Sequence, residues 1–129
     1  MKHEVTLKKE DMLAVIEEKN LDEIIKPLVN EVHLFDTWIA GTSYIEDKTL
    51  FESLQKDEAL TLKRENNPFD AKAIVVLNSD KQKLGYIPEK DNAVFARLMD
   101  AGKFLKAKVK SVEKDERYRI SIGIYLVDY

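Results

Sequence analysis

The spacing of hydrophobic residues changes period near residue 32. Upstream, Met12, Val15 and Ile16, then Leu21, Ile24, Ile25 and Leu28, recur at helical intervals and predict helix over residues 11–29. Asn20 followed by Glu23 has the form of a capping box, which breaks this segment near Lys19. The second helix is short or kinked, because Pro27 lies beyond its first turn. Downstream, His33 to Ala40 is rich in β-formers and stops at Gly41. Thr49 to Gln55 reads as one or two helical turns with Leu50, Phe51 and Leu54 inward. Ala59 to Arg64 alternates, with Leu60 and Leu62 on one face. Ala73 to Leu77 is the continuous apolar run of a buried strand, Asn78-Ser79-Asp80 a turn, and Lys83 to Ile87 a further strand. Pro88 opens a helix over Asn92 to Asp100, striped by Val94, Phe95, Leu98 and Met99, with Gly102 as its C-terminal cap.

The last segment predicts a hairpin. Leu105, Ala107 and Val109 alternate with Lys106, Lys108 and Lys110; Tyr118, Ile120, Ile122 and Ile124 alternate with Arg117, Arg119 and Ser121. Placing the turn at the polar run Glu113 to Glu116 pairs Val112 with Arg117, Val109 with Ile120 and Lys110 with Arg119, and keeps the apolar residues on one face. About five or six short strands with one or two helices make a mostly β domain, a small, partly open barrel or curled sheet. The chain thus divides into a helical extension, residues 1–31, and a β-barrel domain, residues 32–129. The extension packs either on that domain or on a second copy of itself, or serves a protein partner.

Composition narrows the chemistry. The apolar fraction, 44%, fills one core, and the 35% of charged residues makes a densely ionic surface. With no cysteine, disulfides and thiolate zinc sites are excluded. His3 and His33 lack the short spacing that brings two imidazoles to one metal. Met1 to Glu10 is polar and lysine-rich, and no apolar run approaches a membrane span, which predicts a cytoplasmic protein without a membrane partner. The net charge of −3 means that any polyanion must be met by a local patch or by an end-specific site. No phosphate loop, Ser-His-Asp order or metal cluster is visible, which predicts a protein without enzymatic activity or cofactor; Asp57, Asp70 or Asp80 are the carboxylates that could hold magnesium.

The segment Arg64-Glu65-Asn66-Asn67-Pro68-Phe69-Asp70 lies between two predicted strands. Asn side chains fold back on the backbone in turns, and Pro68 forces Asn67 into an extended conformation. A rigid turn follows, carrying a ring and a carboxylate side by side. Phe69 either anchors the turn in the core or belongs to a site. Tyr86, in a strand, either turns its ring into the barrel or offers it to a ligand, and Tyr44 follows a Gly-Thr-Ser loop that favours exposure.

Residues 64–76, Arg-Glu-Asn-Asn-Pro-Phe-Asp-Ala-Lys-Ala-Ile-Val-Val, resemble the signature of HIRAN domains. Further blocks resemble that family in the same order: Ile39-Ala40-Gly41-Thr42-Ser43-Tyr44, then Leu84-Gly85-Tyr86-Ile87-Pro88, then Asn92-Ala93 through Leu98-Met99-Asp100-Ala101-Gly102. The resemblance runs over roughly residues 32–112. It implies an OB-like or SH3-like partly open barrel and a non-catalytic DNA-binding module of DNA repair or processing, which recognises the free 3′ end of a single strand. On that reading Asp70 accepts a hydrogen bond from a terminal 3′-hydroxyl and repels a terminal 3′-phosphate. Phe69, Tyr44 or Tyr86 stacks on terminal bases. Backbone amides from Asn67 to Asp70 hold the last phosphate, with Lys63, Arg64 and Lys72 nearby. The sequence departs from the family at Ser43, where some relatives carry a basic residue, at Glu89, where a basic residue is common, and at Lys72, where asparagine is usual.

Independently of the family, Lys106, Lys108, Lys110, Arg117 and Arg119 form a basic ladder whose repulsion something must offset: a phosphate backbone, the acids Glu113, Asp115 and Glu116, or hydration. Two further functions compete with strand-end binding. One is a protein-binding adaptor or regulatory domain that uses the acidic surface and the N-terminal helices. The other is a small nuclease or hydrolase.

Overall fold

Alternation is clearest in Ala59–Arg64, Phe104–Lys114 and Tyr118–Asp128, whereas Asn30–Trp38 is exposed along nearly all its length and Ile74–Leu77 is continuously apolar. A computed structural model describes residues 30–128; the predicted helices over 11–29, and His3, lie outside the described residues. β1 spans Asn30–Trp38, β2 Ala59–Arg64, β3 Ile74–Leu77, β4 Lys83–Tyr86, β5 Phe104–Lys114 and β6 Tyr118–Asp128. Between β1 and β2 lie a short 3-10 turn, Thr42–Tyr44, and α1, Thr49–Glu52. α2, Glu89–Asp100, joins β4 to β5. The six strands form one antiparallel sheet in the order β1-β6-β5-β2-β3-β4. It curls until Ala40, just past β1, pairs with Tyr86 of β4 through two backbone bonds, 2.8 and 2.9 Å. The fold is therefore the mostly β, partly open barrel that the alternation predicted.

Closure depends on Gly85. Its φ is +153°, and a Cβ built there would lie 2.3 Å from the Ala40 carbonyl oxygen and 2.6 Å from Ile39 Cγ2. Only a residue without a side chain lets the end of β1 approach β4 so closely.

Inside the curl, Phe51, Ile74, Val76, Leu84, Ile87, Val109, Ile120, Ile122 and Ile124 are fully buried. Each such side chain contributes roughly 1.5–3 kcal/mol relative to exposure. α2 packs against this core with Phe95 and Ala96 buried and Leu98 and Met99 half-buried. The apolar stripe predicted for this helix is thus corrected at one position: Val94 is 61% exposed, and Ala96 takes its place. α2 also begins earlier than predicted, at Glu89, directly after Pro88. It ends in a Schellman arrangement, with Lys103 N–H donating to Leu98 and Gly102 N–H to Met99, both at 3.0 Å.

The hairpin has the predicted faces but not the predicted register. Val112 pairs with Ile120, Glu113 with Arg119 and Val109 with Ile122, with an irregularity that leaves Lys110 between two ladder pairs. Glu113 and Lys114 continue the strand, and the turn is Asp115 to Arg117, closed by the Asp115 N–H on the Arg117 carbonyl at 3.2 Å. Polar residues at an exposed strand end carry the same signature as a turn, which is why the turn begins two residues later than the polar run predicts.

The basic ladder is offset by β1. Lys106 and Lys108 both meet the Glu31 carboxylate, the latter at 2.7 Å, and Lys110 meets Asp36 at 2.8 Å. These contacts hold the Glu31 and Asp36 carboxyls below their ordinary pKa range, chiefly through the hydrogen bonds from Lys106 and Lys110 respectively. Arg119 lies over the Trp38 ring, 4.7 Å from its centre.

Candidate functional site

The loop between β2 and β3 is a stack of small side-chain-closed turns. Asn67 Oδ1 accepts the Phe69 N–H at 2.8 Å, and Asp70 Oδ1 accepts the Lys72 N–H at 2.9 Å. Arg64 braces the loop from β2: it donates to the carbonyls of Ala73 at 2.7 Å and Ala71 at 2.9 Å, and to Asp100 at the end of α2 at 2.9 Å. From the other side the buried Asn92 of α2 donates to Asp70 Oδ2 at 2.8 Å. The carboxylate is thus fixed in direction by one backbone and one side-chain donor. A carboxylate has about four acceptor positions, so two bonds leave each oxygen able to accept another.

Phe69 does not anchor the core. It is 94% exposed at the tip of the braced loop, and Tyr44, closing the 3-10 turn after Gly41, is 86% exposed. Tyr86 is half-buried and turns its ring outward: its hydroxyl donates to Glu65 at 2.6 Å and accepts from the Lys83 ammonium at 2.5 Å. These three rings, with Asn67 and Asp70, line one open groove of about 500 Å³ floored by Ala40, Gly85 and Ile87. That size suits a small ligand or a few residues of a chain. The Gly85-dependent closure brings its two walls together, because Tyr44 follows Ala40 and Tyr86 is the residue that Ala40 pairs with.

Charge in the groove is net acidic rather than basic. Asp70 and Glu89 line it together with Lys83. On the ridge at Tyr86, Glu65 is held below the usual carboxylate range, first by the Tyr86 hydroxyl and then by Asn67 and Lys83. Lys83 is pushed above the ordinary lysine value by its bond to Tyr86 and by the Glu65 charge. A polyanion would find little net attraction here, whereas a neutral hydrogen-bond donor and flat rings would find partners.

Of the residues singled out from sequence, Tyr44, Asn67, Phe69, Asp70 and Tyr86 come together in this groove. Lys63, Arg64 and Lys72 do not line it. Arg64 is engaged within the loop, and Lys63 projects onto the outer face of the sheet. The amide cradle expected from Asn67 to Asp70 is largely occupied, since the Asp70 N–H donates to the Asn67 carbonyl at 3.3 Å and the Phe69 N–H to the Asn67 side chain. Sequence reasoning missed Lys83 and Asn92 as parts of the site. In a regular strand residues 83 and 86 face opposite ways. The register shift opposite Val76 and Leu77 brings them to one face. Among the described residues no cluster of His, Asp and Glu could hold a metal ion, and no helix is long and apolar enough to cross a membrane.

Known structures share this architecture. A crystal structure of a protein from Lactobacillus plantarum is 27% identical, with a TM-score of 0.73 over 78% of this chain and 99% of that one. The crystal structure of the HIRAN domain of human HLTF is 19% identical, with a TM-score of 0.61 over 75% and 78% of the two chains. The same domain solved by NMR in its DNA-bound conformation is 18% identical, with a TM-score of 0.56 over 76% and 79%. No curated protein matches the chain. The family model of the HIRAN domain matches residues 32–127, most of the sequence and nearly all of the barrel, and the chain belongs to the HIRAN-domain family.

Proposed function

We propose that this protein is a non-catalytic DNA-binding module that receives the 3′-hydroxyl end of a single strand in the groove between Tyr44, Phe69 and Tyr86. The observation that carries this reading is Asp70: a carboxylate oriented by Asn92 and the Lys72 amide, with acceptor capacity left, beside two rings that are almost wholly exposed. The solved DNA-bound HIRAN domain of HLTF, of the same fold and family, supports DNA as the ligand class. A terminal 3′-hydroxyl donates one hydrogen bond that an internal nucleotide cannot. The Asp70 charge accepts it and repels a terminal phosphate, so the site reads an end without reading a base.

Terminal bases stack on Phe69 and Tyr44, for about 1–3 kcal/mol each, and Tyr86, with its hydroxyl fixed by Glu65 and Lys83, forms the groove's third ring. Recognition of this kind suits a module of DNA repair or processing, where free ends arise. Fluorescence anisotropy with short single strands ending in 3′-hydroxyl or 3′-phosphate, and with a blunt duplex, tests it. The hydroxyl-ended strand is expected to bind tightest. Equal binding of all three removes end recognition.

A further inference from the structure

A second groove, of about 560 Å³, lies on the outer face of β2, β3 and β4, and Lys83 lines both grooves. We infer that this lysine-rimmed outer face carries the sugar-phosphate backbone of the same DNA strand as it leaves the aromatic groove. The inference rests on the end-binding reading above and adds the path of the strand's body.

Register sets out the path. Lys63 pairs with Val75, and Val75 with Tyr86; one row further on, Thr61 pairs with Leu77, and Leu77 with Lys83. Lys63 therefore stands two strand spacings, ~10 Å, across the sheet from Tyr86. Lys81, in the β3–β4 turn, extends its ammonium to within 3.3 Å of the Thr61 hydroxyl. A chain that enters over Tyr86 and Lys83 crosses β3 beside Leu77 and meets Lys63 and Lys81 on the far side.

Charge distinguishes this face from the β5 lysines. The three lysines of the β5 ladder are engaged by carboxylates, Lys106 and Lys108 by Glu31 and Lys110 by Asp36, and Glu65 meets Lys83 at the ridge. Lys63 and Lys81 are exposed and, like Arg117 and Arg119, have no carboxylate partner among the described residues. Exposed, unpaired ammonium groups beside the half-buried Leu77 suit a flexible polyanion, whose phosphates take the charges while its sugars lie along that apolar edge.

The test is the double variant K63Q/K81Q of the full chain, which touches neither the aromatic groove nor the core. Binding of three- and ten-nucleotide single strands with a 3′-hydroxyl is measured across a salt series. Two phosphate contacts account for a slope difference of about 1.4 in the log–log salt dependence, so a fourfold rise in salt weakens the wild type about sevenfold more than the variant on the ten-nucleotide strand. The trinucleotide binds both proteins alike. An unchanged slope in the variant, with 3′-hydroxyl preference intact, overturns the path while leaving end binding in place. Loss of that preference in the wild type itself overturns the end groove and the path with it.

Discussion

Substituting Gly85 by alanine puts a methyl group where the barrel closes. The new carbon would lie 2.3 Å from the Ala40 oxygen and 2.6 Å from Ile39 Cγ2, and the obstacle is backbone, which cannot rotate away. Relief requires the end of β1 to move off β4, breaking the two Ala40–Tyr86 bonds. Each bond is worth about 0.5–1.5 kcal/mol net, and the overpacking adds about 1–3 kcal/mol. The expected loss is about 2–6 kcal/mol, which in a domain of this size lowers Tm by roughly 10 °C or more. Gly102→Ala is the control. Gly102 also has a positive φ, +91°, but nothing lies within 4 Å of a Cβ placed there. It should lose only the backbone cost, about 1–2 kcal/mol. Thermal unfolding followed by circular dichroism compares the two. Equal Tm losses would mean that the close approach at Ala40 carries no weight and that positive φ alone explains both glycines.

Other outcomes follow from the same geometry. Phe69→Ala should change stability by less than about 0.5 kcal/mol, since an exposed ring supports no core, yet weaken strand binding by about 1–3 kcal/mol; a large Tm change with unaltered binding would assign the ring to the fold. Arg64→Ala should speed hydrogen exchange of the Phe69 and Lys72 amides about tenfold, the equivalent of ~1.4 kcal/mol of lost bracing, and unaltered exchange would show that the loop holds itself. The depressed folded pKa of Glu31 contributes stability that is complete above its ordinary value of 4.5 and is lost as pH falls through the lower folded value. For a partly exposed pair this is at most about 1 kcal/mol and shrinks with salt. Acid unfolding at low salt should therefore be less steep for Glu31→Gln than for the wild type, and superimposable profiles would contradict the pairing with Lys106 and Lys108.

The parts of the fold legible in sequence are those governed by local period. Leu60 and Leu62 in β2, and Ile120, Ile122 and Ile124 in β6, announced their faces because alternation needs no knowledge of partners. The braced loop was legible through Asn67, Pro68 and Asp70, whose turn chemistry acts within a few residues. What escaped depends on pairing at a distance. Nothing near Lys106 or Lys108 indicates that Glu31, more than seventy residues earlier in the chain, neutralises them. Lys83 joined the groove only through a register shift in β4, and Val94 was drawn into the stripe of α2 by its apolar character although α2 turns that position outward. The groove itself arises from barrel closure at Gly85, and a lone glycine in a strand reports a close approach without naming what approaches.

Asp70→Asn probes the central claim most directly, since it keeps the shape of the side chain, and an oxygen for the Lys72 amide, while removing the charge. The measured quantity is the ratio of dissociation constants for one single strand bearing either a 3′-phosphate or a 3′-hydroxyl. The ratio should be well above one for the wild type and fall toward one in the variant, mainly because the phosphate-ended strand binds better once the charge is gone. A ratio that is the same in both proteins would contradict the account, leaving strand ends to be sensed elsewhere or not at all.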